Sequence, residues 1–336
     1  MEKFDIPVCL IIFKRIDTTL RIIERLSIIK PSKIYLLGDQ GRTEEEKELV
    51  KRCRDKVEKA ICWECEVIKY YASENRGVYE NIAGGAKFVF SKEDQAIFLE
   101  DDNLPDITFF SYCKNLLQKY KDSDEVLWIC GTNYLEKTEF DKNSDYYFTR
   151  HLLPCGWASW SKKFLTYYDG DLKNFDNQQT KNRLKRNYLS KRLFKQQYYC
   201  FKREFHRKIN GQKFISWDYQ MAFSIRYFNK YGISPKYNLI ENIGVDNYSE
   251  HGGNSFKKEM TKRFCGVKTH NMPSEMCHPT KIKINLAYEK KINKIITNPF
   301  SIRIKHYAKI ILFKLLGLDT TLTYREGLNK IKHRSQ

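Results

Sequence analysis

At 336 residues, 41% hydrophobic and 14% aromatic, the chain can bury one large α/β domain, or a domain with an appendage, which excludes a disordered polypeptide. Its 60 Lys and Arg against 41 Asp and Glu leave a formal charge of +19. That balance suits an anionic partner: nucleic acid, an acidic membrane surface or a phosphorylated substrate.

No run is long and apolar enough to cross a bilayer, and residues 1–5 lead straight into a strand pattern. No export signal is therefore expected, and the cytoplasm is the default compartment. The ten cysteines are scattered, mostly in apolar contexts such as Cys9, Cys113 and Cys130, which predicts reduced core thiols.

Residues 7–13 form a continuous apolar run, as in a parallel strand buried on both faces. Lys14-Arg15-Ile16 follows, and Asp17 can cap a helix in which Leu20, Ile23 and Leu26 recur at helical spacing until Pro31. A second strand is expected over 33–37, ending in Gly38-Asp39-Gln40-Gly41. Residues 44–59 read as a helix, acids leading, with Leu49, Cys53 and Val57 in one stripe. A third strand over 66–71 passes into Ser73-Glu74-Asn75-Arg76-Gly77, then into a helix that buries Ile82, Ala86, Val89 and Phe90. A fourth strand covers 95–99, with a helix over 109–120 and a short strand over 126–130. Such alternation predicts βαβ units and a Rossmann-like, mostly parallel sheet with helices on both faces.

Beyond about residue 131 the alternation stops. Gly131-Thr132-Asn133-Tyr134 and Pro154-Cys155-Gly156-Trp157-Ala158-Ser159-Trp160 read as aromatic, glycine-punctuated loops that line a polar pocket. Residues 181–208 are dense in Lys and Arg with Tyr and Phe between them, which predicts a helical insertion. Ser216-Trp217-Asp218 opens a helix running through Phe223 and Tyr227. A strand is expected over 235–240 and a loop over 241–253, with His251 near its end. Residues 303–318 are amphipathic, with Ile304, Ala308, Ile311, Leu312 and Leu315 on one side.

The fourth strand carries the most informative stretch. Once Ile97, Phe98 and Leu99 are buried, Glu100-Asp101-Asp102 must emerge at the carboxyl end, where open α/β sheets bind their ligands. Three adjacent carboxylates repel one another unless a cation or a basic partner neutralises them. The stretch predicts a Mg2+ or Mn2+ site for a phosphorylated ligand, an acidic surface exit being the plainer alternative. A Walker loop and a dinucleotide fingerprint are both missing, since Gly84-Gly85 lies inside a helix. Cys62 and Cys65 could join Cys265, His270, Cys277 and His278 in a zinc site on paper; ordinary thiols are the simpler reading. The basic stretch 181–208 could track a phosphate backbone, form a solvated helix or lie against anionic lipid. Lys is about as frequent as Arg there, which favours diffuse electrostatics over base reading, so no nucleic-acid partner is expected.

Taken in order, four features resemble the GT-A nucleotide-sugar glycosyltransferases: the first strand with Arg15, Gly38-Asp39, Asn75-Arg76-Gly77 and Glu100-Asp101-Asp102. The order is especially similar to the bacterial surface-polysaccharide branch that shares a Glu-Asp-Asp motif with N-acetylglucosaminyltransferase I. Gly156-Trp157-Ala158-Ser159-Trp160, Trp217-Asp218 and Asn242-Ile243-Gly244 extend the resemblance over residues 5–255. It implies metal-dependent transfer of a hexose or N-acetylhexosamine from a nucleotide-diphosphate sugar, UDP by default. The implied acceptor is a lipid-linked saccharide of capsule or O-antigen type. By the same resemblance Asp102 is the metal ligand, Asp101 meets the ribose and Glu100 faces the donor sugar. Asp39 meets the base, Arg15, Asn75 and Arg76 lie beside the nucleotide, and Asp218 is the catalytic base. His251 is placed near the metal or diphosphate, with His270 as its substitute. Trp157, Trp160 and Trp217 could stack on acceptor sugar rings, whose C–H faces are apolar; their alternative is core packing.

The expected organisation is a nucleotide-sugar-binding half (1–130) and an acceptor-binding half (131–260) carrying a basic insertion at about 175–212. A C-terminal extension (261–336) would suit peripheral contact with the inner face of a membrane. Two rival classes remain: a metal-dependent nucleotidyltransferase, which would also place acids at a strand end, and a non-catalytic RNA-binding protein built on the basic stretch.

Overall fold

A computed structural model describes residues 4–175, 177–246 and 255–334. The four leading apolar runs become strands β1 (Val8–Ile12), β2 (Lys33–Gly38), β3 (Glu66–Tyr71) and β4 (Gln95–Glu100). They are joined by helices α1 (Ile16–Ile29), α2 (Glu44–Ala60) and α3 (Gly85–Phe90), the last entered through a π-helical turn, Glu80–Gly84. Thr43 caps α2 by accepting from the Glu46 amide, and three glutamates occupy its first turn, opposite the helix dipole's positive end. All pairings in this half are parallel, in the order β3-β2-β1-β4, so every carboxyl end opens on one side of the sheet.

β4 runs into a short β5 (Asn103–Pro105), followed by α4 (Thr108–Lys119) and β6 (Val126–Cys130). β7 (Tyr146–Thr149), β8 (Trp157–Trp160) and β9 (Tyr231–Pro235) then complete an eight-stranded sheet ordered β3-β2-β1-β4-β8-β6-β9-β7. Six strands point one way; β8 and β7 are reversed. The architecture is thus the Rossmann-like, mostly parallel α/β sheet expected for a GT-A fold. β10 (Ile240–Asn242) pairs antiparallel with β5 beyond the main sheet.

Two expectations are corrected here. Residues 157–160 are a central strand between β4 and β6, not a pocket loop. Trp157 packs in the core on one face and Trp160 in the core on the other, so the segment lacks the polar alternation that betrays a strand. The strand expected over 235–240 is split. Pro235 ends β9, and the turn beyond it is held by Asn238, whose amide donates to the Ile240 and Val267 carbonyls (2.8 Å each).

Helices α5 (Ser161–Tyr167), α6 (Gln178–Arg186), α7 (Lys191–Ile209) and α8 (Asp218–Tyr227) follow β8, and α6 with α7 form the basic insertion. After β10 come α9 (Glu259–Phe264), α10 (Leu286–Ile296), α11 (Phe300–Leu315) and α12 (Tyr324–Arg334). Tyr288 and Ile292 of α10 belong to the same core as the strands, so the chain after residue 261 is not an appendage until α11. All ten cysteines are free thiols. Among the described residues no helix is long and apolar enough to cross a membrane.

Candidate active site

The β1–β4 register sets Ile11 beside Glu100, which brings the residues after both strands together. Arg15 ends the β1 exit loop, immediately before α1, and its guanidinium lies among three carboxylates. One terminal nitrogen donates to Asp101 Oδ1 (3.0 Å) and Asp102 Oδ2 (2.9 Å), while Nε lies 3.2 Å from Asp246 Oδ2. Side-chain exposure is 13% for Arg15 and 12% and 16% for Asp101 and Asp102, so water screens these charges poorly.

Three acids thus share one cation, and Glu100 adds a fourth carboxyl beside them. Burial, then the charges of Asp102, Asp101 and Asp218, hold the Glu100 carboxyl well above its usual range. Burial and Asp102 push Asp101 up to about 7 despite Arg15, and burial raises Asp102 as well. The cluster is under-neutralised.

Neighbouring residues shape it closely. Asn103 donates to Asp102 Oδ1 (2.7 Å) and accepts from the Gly156 amide (2.9 Å), so one buried side chain ties the acids to the turn before β8. Gly156 adopts φ +58°, a backbone conformation that favours glycine. Ile243 donates its amide to the Asp102 carbonyl (2.9 Å), and Gly244 lies so close that a Cβ would overlap the Asp102 carboxylate. Asn103 and Asp246 escaped sequence reasoning. The available signals were a polar residue opening an otherwise apolar β5, and an acid two residues after the Asn242-Ile243-Gly244 block.

On the β2–β3 side, Asp39 accepts four hydrogen bonds. Its Oδ1 takes the Gln40 and Arg76 amides (2.9 and 2.8 Å); Oδ2 takes the Gly77 amide and the Asn75 side chain (2.8 and 3.1 Å). A carboxylate offers about four acceptor positions, so this one is filled by its own chain and is only 6% exposed. The expected contact between Asp39 and a base is corrected to a latch that holds residues 75–77 beside the β2 exit. Asn75 also donates to the Gln40 carbonyl (2.7 Å), and the Arg76 guanidinium lies 4.6 Å from the Tyr70 ring centroid. Outside the acid cluster, a cleft of about 500 Å3 is bordered by α2 and β3, with Lys47, Arg54, Glu58 and Tyr71 in its wall. Its charges pair among themselves, as in Lys47–Glu44 and Lys69–Glu58 (2.6 Å each).

Asp218 is the first residue of α8, half-buried, and accepts from the Ser216 hydroxyl. Burial raises the pKa of Glu100, Tyr134 and Tyr168, and Cys200 with burial raises that of Tyr219; the Asp218 charge adds to each. The tryptophans do not face this space. Trp157 is 1% exposed and stacks on Phe98 (centroids 3.9 Å apart) and on Trp128 (4.2 Å). Trp160 donates its indole N–H to the Leu117 carbonyl (3.0 Å). Trp217 is 5% exposed, tilted against Trp157 and Trp128. Acceptor stacking by these three is corrected to core packing: burial in β8, and for Trp217 against it, takes the rings out of reach of a sugar. Tyr134 and Tyr219, both half-buried, are aromatics that feel the Asp218 charge.

His270, the substitute for His251, is ion-paired with Glu136 (2.8 Å). His251 itself lies outside the described residues. Among the described residues no three His, Cys, Asp or Glu side chains form a ready-made metal cage. Hard carboxylate oxygens in negative excess nonetheless fit Mg2+ or Mn2+, which are commonly held by one or two carboxylates and shared with a substrate's phosphates.

No family model matches the chain, and no curated protein matches it. Among solved structures, a mannosyltransferase from Pyrobaculum calidifontis in complex with GDP-Man and Mn2+ aligns at 11% identity and TM-score 0.35, over 66% of this chain and 69% of that one. A UDP-glucose pyrophosphorylase complexed with UDP-glucose aligns at 10% identity and TM-score 0.36, over 71% and 94%. S. aureus TarS 1–349 aligns at 9% identity and TM-score 0.33, over 48% of each chain. Likeness this slight carries no functional argument, and the function rests on the residues.

Proposed function

We propose that the chain is a metal-dependent glycosyltransferase acting on a nucleotide-diphosphate sugar, with UDP as the default nucleotide. It would move a hexose or N-acetylhexosamine to a lipid-linked saccharide of the capsule or O-antigen kind. One observation carries the reading. Arg15, Glu100, Asp101, Asp102, Asp246 and Asp218 converge at the carboxyl ends of parallel strands, with more negative charge than one guanidinium offsets.

Asp102, joined by Asp246, would hold Mn2+ or Mg2+, with His251 kept as a further ligand. When bound, the ion supplies Lewis-acid stabilisation of the charge that develops on the departing diphosphate. Arg15 swings from the carboxylates to phosphate oxygens, exchanging one charge-assisted pair for another. Asp101 and Glu100 orient the ribose and the sugar. Asp39 acts indirectly, by keeping Asn75 and Arg76 beside the nucleotide. Asp218 takes the proton from the acceptor hydroxyl as that oxygen bonds the anomeric carbon, and the bond to the diphosphate breaks with its electron pair leaving on oxygen. Single displacement inverts the anomeric centre, which NMR of the product reads directly. Tyr134 and Tyr219 replace the tryptophans as aromatic surfaces for the acceptor.

The test is a thermal-shift screen of nucleotide sugars with and without Mn2+. Stabilisation should require both and vanish in Asp102→Asn, with turnover down about 1,000-fold or more. Stabilisation that survives Asp102→Asn would overturn the reading. Nucleoside monophosphate retained in the product would point to nucleotidyl transfer, and RNA binding untouched by Asp102→Asn would point to a non-catalytic role.

A further inference from the structure

Helix α11 is mounted inside out. Its stripe at helical spacing, Phe300, Ile304, Tyr307, Ile311 and Leu315, faces solvent, with exposures from 49% to 81%. The face turned inward presents Lys309, only 5% exposed. Its ammonium donates to the Tyr199 hydroxyl on α7 (2.7 Å) and to the Thr320 and Leu322 carbonyls (2.9 and 2.7 Å), which uses all three of its N–H groups. Phe313, also turned inward, packs against Gly327 of α12. Burying a lysine while exposing five large apolar side chains runs against the hydrophobic effect, unless another apolar phase covers the outer face.

The surrounding charge identifies that phase. From residue 300 onward the chain carries eight Lys and Arg against two acids. Both acids are engaged inward: Asp319 with His206 (3.3 Å), and Glu326 with Arg207 (2.5 Å). Lys305 and Lys314 border the stripe and are exposed, as are Arg325, Lys330 and Lys332 on α12, alongside Tyr324 and Leu328. A second copy laid symmetrically on this face would set lysine against lysine. A bare polyanion would leave the apolar stripe wet.

We propose that the outer face of α11, with the exposed edge of α12, docks on an anionic lipid bilayer. Ile304, Tyr307, Ile311 and Leu315 enter the headgroup–acyl boundary, and the flanking lysines pair with lipid phosphates. This inference is independent of the transferase reading; it would carry the chain to the surface where a lipid-linked acceptor resides.

Co-flotation of the full chain with phosphatidylcholine vesicles containing about 30% phosphatidylglycerol tests it, at low and at raised salt. The wild type should float with the anionic vesicles, poorly with phosphatidylcholine alone, and less as salt rises. Ile304→Ser/Ile311→Ser/Leu315→Ser should weaken binding about a hundredfold, with an unchanged thermal midpoint because those side chains are already in water. Lys305→Glu/Lys314→Glu should weaken it more than about tenfold and flatten the salt dependence. Failure of the wild type to float at low salt, or flotation of the triple variant like wild type, would overturn the proposal. So would a sedimenting dimer that the triple variant dissolves, since the face would then bind its own copy. Nucleotide-sugar thermal shifts in the same variants keep failure here distinct from failure of the transferase reading.

Discussion

The two halves of the sheet treat polar side chains in opposite ways. In β3-β2-β1-β4 the strands are parallel, and charge collects beyond their carboxyl ends, where Arg15 meets Asp101 and Asp102 beside Glu100. In β8-β6-β9-β7 the strands run both ways, and several polar groups lie inside with partners of their own. Asn133 donates to the Pro235 and Lys236 carbonyls (3.1 and 3.0 Å) and accepts from the Leu135 amide (3.0 Å). Lys163 donates to the Tyr120 and Val126 carbonyls (2.5 and 3.0 Å). Satisfied buried groups hold irregular backbone in place, whereas an unsatisfied cluster at a strand end invites a ligand. We read the first half as supplying Arg15 and most of the acids, and the second as the wall behind them, to which it adds Asp218 and Asp246.

That division can be broken at several points. Asp218→Asn should cut turnover about 100- to 10,000-fold while leaving donor thermal shifts and the melting temperature intact. Trp157→Ala should instead destabilise the fold by about 3–5 kcal/mol in denaturant titrations, because it empties the stack between Phe98 and Trp128. If Trp157→Ala kept its stability but lost acceptor affinity, the wall would be a binding surface after all. Asp39→Ala strands four donors and should cost about 2 kcal/mol, with weaker donor binding as the 75–77 loop loosens.

A pH signature tests the second half. Burial lowers the Lys163 pKa from 10.5 to about 8. Below pH 8 both folded and unfolded chains hold the proton; between 8 and 10.5 the unfolded chain holds more, so wild-type stability gains as pH rises. Measured as a difference from Lys163→Met, wild type should gain about 2–3 kcal/mol across that window. A flat difference would mean that the two carbonyls fully replace water for the ammonium.

Legibility followed the same boundary. The strand and helix ranges of the first hundred residues are close to those read from periodicity, because each βαβ unit buries a local pattern that sequence displays. β7 and β8 were missed because both of their faces are buried, which erases alternation. The acids and Arg15 could be named from their place after strands; that Arg15 bridges two of them could not. Asp39 looked like a ligand residue and is a latch, since three of its four partners come from the 75–77 loop, distant in sequence.

Composition and hydrophobic period by themselves determined the α/β class, the parallel half and the placement of acids at the strand ends, because those follow from interactions within a few residues or between adjacent strands. Only tertiary structure decided which carboxylates share a cation, which aromatics are core, and that α11 turns its apolar stripe to the outside. Each of those depends on partners far away in sequence, such as Asp246 for Arg15, Phe98 for Trp157 and Tyr199 for Lys309. No local pattern encodes which distant group will fill a hydrogen-bonding or packing vacancy.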